Sequence, residues 1–154
     1  MLTATLIGVI VYILWRHCKM KASMAIILVT LAFYLSFVLT ITIIERVPRK
    51  NARYNLELFW SYKAIVAGKV QLFAEIFWNI VLFVPIGLMV SALLEKNIWL
   101  SVMIGALLSA GIEITQLLTH RGLFEWDDII HNTFGALVGL LLYLFLKKWE
   151  RRKK

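Results

Sequence analysis

The sequence predicts an all-α integral membrane protein, a bundle of about five transmembrane helices. Three observations predict it. Hydrophobic residues make up 61% of the 154-residue chain, and mean hydropathy is +0.81, far above a soluble domain. The apolar residues fall in long runs, and a helix needs roughly 20 of them to cross the hydrocarbon core. Trp15, Trp78, Trp99, Trp126 and Trp149 lie at or near the ends of those runs, where indole rings favour the membrane interface. Trp60 is the exception and lies in the longest loop.

The first apolar run is residues 2–15. At about 1.5 Å per residue it covers about 21 Å of a core about 30 Å thick. It spans only where Arg16 and Lys19 snorkel or the bilayer thins. Its basic residues Arg16, Lys19 and Lys21 follow the run, and no small-residue cleavage site is visible, so a retained helix is expected instead of a signal peptide. Runs 22–44, 74–94 and 98–118 are each long enough to span, and 128–146 spans with a polar first turn. Loop 45–73 carries Pro48, six Lys and Arg, and the aromatics Tyr54, Phe59, Trp60 and Tyr62. From Tyr62 to Phe73 its apolar residues approach helical spacing, so it is either a helix lying in the interface or an irregular loop.

The net charge of +8 belongs to juxtamembrane segments, above all the tail Lys147, Lys148, Arg151, Arg152, Lys153 and Lys154. Such a tail marks the cytoplasmic side and meets anionic lipid. No recognition motif accompanies the charge, which argues against nucleic acid. With five helices the N-terminus is then outside and the C-terminus inside. The side of the tail holds ten Lys and Arg against seven on the other. The single cysteine, Cys18, excludes an internal disulfide. Its basic turn permits palmitoylation, although an unmodified thiol is the simpler expectation.

Polar residues inside the apolar runs direct attention to residues 113–132. Charged and amide groups in hydrocarbon are expensive, so a membrane helix that carries them pairs them or uses them. Glu113 and Gln116 are three apart and share a helix face, which continues back through Ser109 and Gly105. Asp128 and Asn132 share a face that continues through Gly135 and Gly139. Small residues let membrane helices approach closely, so these two seams are expected to bring the two helices together. Run 74–94 carries Glu75 and Asn79 at the same end. Asn79, Glu113, Gln116, Arg121, Asp127, Asp128 and Asn132 should therefore converge, with Arg121 as the obvious partner of Glu113. Competing structural roles stand beside this. Asp127 and Asp128 would cap their own helix and complement its dipole. Asn79 would only bridge helices, His131 would be an interfacial histidine facing away from the Asp128–Asn132 stripe, and Pro85 would be a plain kink.

The same residues carry a resemblance. Asn79, Phe83, Pro85 and Gly87, then Glu113 and Gln116, then the run from Arg121 to Ala136, are similar to the motifs of the VanZ family, over about residues 55–146. Ile86 and His131 depart mildly from the family pattern, and Asn55-Leu56 matches its loop motif loosely. The resemblance implies a four-helix core to which the first helix is an addition. It divides the chain into N-terminal helices and the start of the outer loop (1–54), a VanZ-like membrane domain (55–146) and a basic cytoplasmic tail (147–154). It implies a bacterial protein of the teicoplanin-resistance type that lowers susceptibility to glycopeptide or lipoglycopeptide antibiotics, and it leaves the chemistry open.

Three functions compete. The preferred one is a non-enzymatic factor of the cytoplasmic membrane. Its outward polar cluster, through Asn79, Gln116, Arg121, Asp127 and Asn132, would bind a lipid-linked cell-wall precursor, an anionic lipid or an envelope protein. The second is an intramembrane enzyme on an envelope lipid, with Glu113 as general acid or base and Asp128 as its partner. No cofactor is expected, although clustered carboxylates are also oxygen ligands suited to Mg²⁺ or Ca²⁺. The third is a proton-coupled transporter, for which five helices are few.

Overall fold

The computed structural model describes residue 12, residues 21–95 and residues 97–153. Apart from Tyr12, the expected first helix at 2–15 lies outside the described residues, as does Cys18. In chain order the described helices are α1 (Ala22–Leu39), which continues as a π-helical turn (Thr40–Ile44), α2 (Trp60–Val66), α3 (Leu72–Leu93), α4 (Trp99–Thr119) and α5 (Trp126–Arg152). Four of them, counting α1 with its π turn, are long and apolar enough to cross a membrane. The protein is an all-α, multi-pass membrane protein.

Local chemistry explains the elements. In α1, Ser36, Thr40 and Thr42 turn their hydroxyls back onto the carbonyls of Ala32, Ser36 and Val38 at 2.7–2.9 Å. This satisfies donors that hydrocarbon would leave unpaired. The π turn follows, where Glu45 N–H donates to Thr40 at 2.9 Å. α3 runs through Pro85 to Leu93 without a break. α4 stops at His120, which takes the left-handed conformation (φ 57°), and Arg121 N–H closes the end by donating to Gln116 O at 3.0 Å. α5 runs through Arg152, several residues further than the apolar run predicts, so most of the basic tail is helical.

The long loop is more ordered than the sequence announces. It holds α2, which starts after Phe59 at φ 59° and ends at Gly68 at φ 99°, where glycine alone is comfortable. Tyr54–Asn55 pairs in parallel with Phe124–Glu125, Tyr54 opposite Phe124. Two residues are too few to show a strand pattern in sequence.

Packing corrects one expectation. The Gly135–Gly139 seam of α5 faces α3, not α4. A Cβ at Gly135 would strike the Ile80 carbonyl, and one at Gly139 would strike the Val84 carbonyl and the Leu88 amide. From the other side, a Cβ at Gly87 would strike the Ala136 carbonyl. Backbone therefore lies on backbone along α3 and α5. The α4 seam does reach α5, with Gly105 against the Ala136 side chain and Ser109 bonded to Asn132. At the far end Ser91 Oγ donates to Ser101 Oγ at 2.7 Å, joining α3 to α4. α1 is the loosest member, and Tyr34 OH ties it to Leu82 O at 2.9 Å. Phe83, Ile86 and Val38 fill the space between these helices and are fully buried.

Gly139→Leu forces α3 and α5 apart and should cost at least the 1–3 kcal/mol or so typical of overpacking. The expected outcome is a sharp loss of folded protein, read as monodisperse yield after detergent extraction. Normal yield would contradict the contact.

Candidate functional site

One end of the bundle collects the end of α1, the start of α3, the end of α4 and the start of α5. Glu113, Gln116, Asp127, His131 and Asn132 are all buried there, none more than 5% exposed. Such groups are tolerable in a membrane helix only when each has partners. Asn79 Nδ2 donates to Asp128 Oδ1 at 2.7 Å, across the α3–α5 contact. Asn132 Nδ2 donates to Ser109 Oγ at 2.8 Å. Gln116 Nε2 donates to Thr42 O at 3.1 Å, which anchors the π turn of α1. Glu113 Oε2 accepts the backbone N–H of Glu125 at 3.0 Å, so this carboxyl caps the approach to α5. Glu113 and Asp128 lie close enough to repel each other, and the cation acting on both is Arg46.

The structure thus brings Asn79, Glu113, Gln116, Asp128 and Asn132 to one end, as their spacing predicts. Arg121 is placed differently. Its Nη1 donates to the carbonyls of Ile44 at 2.7 Å and Arg46 at 3.3 Å, so it fastens the end of α1 and does not pair with Glu113. Among the described residues the ion pair within bonding distance is Lys63–Glu57, on the exposed loop. Asp127 caps a helix, but not its own. Its carboxylate accepts the N–H groups of Phe59 (2.6 Å) and Ser61 (3.0 Å) and the Ser61 hydroxyl (2.5 Å), at the start of α2. His131, expected at the interface, is buried one turn further along. Its Nε2 and the Tyr62 hydroxyl are hydrogen-bonded at 2.9 Å. Asp127 and His131 together hold the long loop over the start of α5.

Several participants were not singled out in the sequence. Glu125 stood in the quoted motif and Arg46 directly after an apolar run, so both were available to inspection. Ser61 carries no local signal, and Trp60 stands out only as the tryptophan placed in the loop, away from the ends of the apolar runs. Trp60, Glu75, Glu125, Asp127, Asp128 and His131 line a small cavity of about 10 Å³, room for about one water. Among the described residues, no three His, Cys, Asp or Glu side chains converge with the geometry of a metal centre. Glu125 Oε1 and Trp60 Nε1 are both buried without a partner at hydrogen-bond geometry, yet the indole still acts on the carboxyl. Burial, then the charge of Asp128, pushes the Glu125 carboxyl up to about 7, with the Trp60 indole opposing.

A multi-pass membrane protein with buried carboxyls and amides gathered at one end of its helices is the class that fold and site define. The chain belongs to the VanZ/LLP1 family, whose model matches residues 22–147 and so takes in α1 as well as the motif-bearing helices. No match is found among curated proteins or among solved structures.

Two predictions follow from this geometry. Asp127→Ala removes an acceptor from three donors, each such charge-assisted bond being worth about 1.5–3 kcal/mol. Loop 45–73 should become protease-sensitive while the spanning helices stay protected, and unchanged digestion would contradict the role. The raised Glu125 pKa means that the folded state holds this proton more tightly than the unfolded chain. Stability should therefore fall as pH rises from about 4.5 to about 7. Thermal unfolding in detergent across that window should show this slope, and Glu125→Gln should make it shallower.

Proposed function

We propose that this chain is a VanZ-type factor of the bacterial cytoplasmic membrane that lowers susceptibility to glycopeptide and lipoglycopeptide antibiotics. It acts by binding an envelope lipid, a lipid-linked cell-wall precursor or an envelope protein at the buried polar end. Family membership supports the resistance role. The single observation that carries the binding role is Glu113, a buried carboxyl that accepts one backbone N–H, in the field of the like charge of Asp128 and the opposite charge of Arg46. A purely structural carboxyl would be better compensated, as Asp127 is. Asn79, Gln116 and Asn132 supply neutral donors and acceptors around it, and Arg46, Arg49, Lys50 and Arg53 on the adjoining loop suit an anionic headgroup. The six basic residues of the tail orient the opposite end to the cytoplasm, which puts the cluster outside.

Acid–base chemistry on a bound lipid is the second reading, favoured by the proximity of Glu113 to Asp128. Turnover of a labelled envelope lipid by purified protein, with Glu113→Gln as control, distinguishes catalysis from binding alone.

Glu113→Gln keeps shape and hydrogen bonding and removes the charge. It should abolish the resistance phenotype at normal protein abundance, measured as antibiotic susceptibility beside an immunoblot. Wild-type resistance in this variant would sink the proposal. For orientation, Leu123→Cys in a Cys18→Ala background should react with an impermeant thiol reagent on whole cells. Labelling that appears only after lysis reverses the topology.

A further inference from the structure

We infer that the groove between α1 and α4 is the chain-binding half of a lipid site. It takes one acyl chain of a membrane amphiphile whose headgroup lies at the polar cluster. The headgroup half rests on the function proposed above; the groove stands on its own geometry.

The groove has a volume of about 280 Å³ and opens on one side of the bundle. Its walls are Leu35, Leu39 and Ile43 of α1 and Leu107, Leu108 and Thr115 of α4. Its floor is Val38, Phe83, Ile86 and Ile112, side chains that belong to the core and are almost fully buried. That core closes it beneath, so it is a furrow open on the lipid side. Cores normally close such gaps, because a void forfeits dispersion contacts on every wall.

Two features show that this protein leaves it open. Gly111 lines the groove, and a Cβ built there meets nothing within 4 Å. This glycine is unlike Gly87, Gly135 and Gly139, where a Cβ would strike backbone. Close helix packing accounts for those three and does not account for Gly111. Second, α1 lies at the edge of the bundle, packed on the core through Val38, Tyr34 and Leu35. Only 6% of its most apolar window is buried inside the protein, against 28% for α4 and 33% for α3 and α5. Two hydrogen bonds, Tyr34 OH to Leu82 O and Gln116 Nε2 to Thr42 O, tie it and its π turn to α3 and α4 on either side of the groove.

The occupant follows from place and chemistry. The groove lies between membrane-spanning segments, where the surrounding solvent is acyl chains, and its lining is almost wholly apolar. A hydrocarbon chain fills it without desolvating any polar group. At its outer end Ile43 and Thr115 adjoin Thr42 and Gln116, whose hydrogen bond separates the groove from Glu113. Arg46 lies three residues beyond Ile43, just past the π turn. A chain in the groove thus leads its headgroup to the cationic loop and the carboxyls.

Photo-crosslinking tests this on the full-length protein in membranes of cells fed a diazirine fatty acid. After irradiation, crosslinked peptides are mapped, and labelling of residues 35–43 and 107–115 is compared with the exposed face of α3 at Phe77 and Val81. The groove should be labelled well above that reference. Gly111→Trp should abolish the excess while leaving reference labelling and folded yield unchanged, since no scaffold atom stands in the way of its Cβ. Gly111→Ala, smaller than the groove, should retain most of it. Groove labelling equal to the reference, or undiminished in Gly111→Trp, overturns the inference. Occupation of the groove by residues 1–20 of the chain itself would appear as labelling at the reference level and counts against it. Antibiotic susceptibility reads the cluster separately. A Glu113→Gln protein that labels normally leaves the groove intact whether or not resistance is lost.

Discussion

Direct contact between the backbones of α3 and α5 is the constraint on which the rest of the structure depends. Lipid tails are as apolar as leucine, so no hydrophobic force drives membrane helices together, and they associate where close approach gains packing and polar contacts. Gly87, Gly135 and Gly139 permit that approach by presenting no side chain. With the two helices fixed, Asn79 and Asp128 meet at one end, and α4 lies against both, through Ser91–Ser101 to α3 and Gly105–Ala136 and Ser109–Asn132 to α5. Glu113 then has one place to go, facing the turn that opens α5. The cluster is a geometric consequence of the glycine contact and needs no separate scaffold.

Much of this was legible in the sequence. Hydrophobic runs located the spanning helices to within a few residues, because a membrane imposes length and polarity more strictly than water does. Helical spacing places Glu113 with Gln116 and Asp128 with Asn132 at one end of the bundle, as observed, but the members of each pair bond different neighbours: Asp128 meets Asn79 of α3 and Asn132 meets Ser109 of α4. Partner choice was not legible. The Gly135–Gly139 seam suits any close neighbour, and chain adjacency favours α4, yet Gly87 supplies the matching gap on α3. Nearness in sequence and opposite charge point Arg121 to Glu113. The π turn ends α1 in carbonyls that draw Arg121 away instead. Arg46 is the cation within reach, and a residue 67 positions from Glu113 leaves no local trace.

Asp127 and Asp128 show how a single step along a helix separates two roles. Adjacent positions on a helix point about 100° apart. Asp127 therefore faces the loop, where three donors satisfy it, and Asp128 faces α3 and the interior, where, among the described residues, Asn79 bonds it. The pair reads as a repeated acidic cap in sequence. In the fold, one carboxylate secures the cover over the site and the other belongs to the site.

The imbalance of charge around that site constrains what it can hold. Glu113, Glu125 and Asp128 raise one another's energy when ionised, and the opposing cation, Arg46, is exposed and largely solvated. Hydrogen bonds from Asn79 and the Glu125 amide compensate only part of that cost. A ligand that enters must therefore bring donors or a proton toward the carboxyls, while any anionic part stays at the level of Arg46 and its loop. A phosphate pressed against Glu113 in place of a donor would add to the repulsion. The cluster thus fits a headgroup with two faces, hydroxyl or amide groups directed inward and negative charge held outward. This ordering follows from burial and charge, and under the proposed binding role it narrows the headgroups that the site would accept.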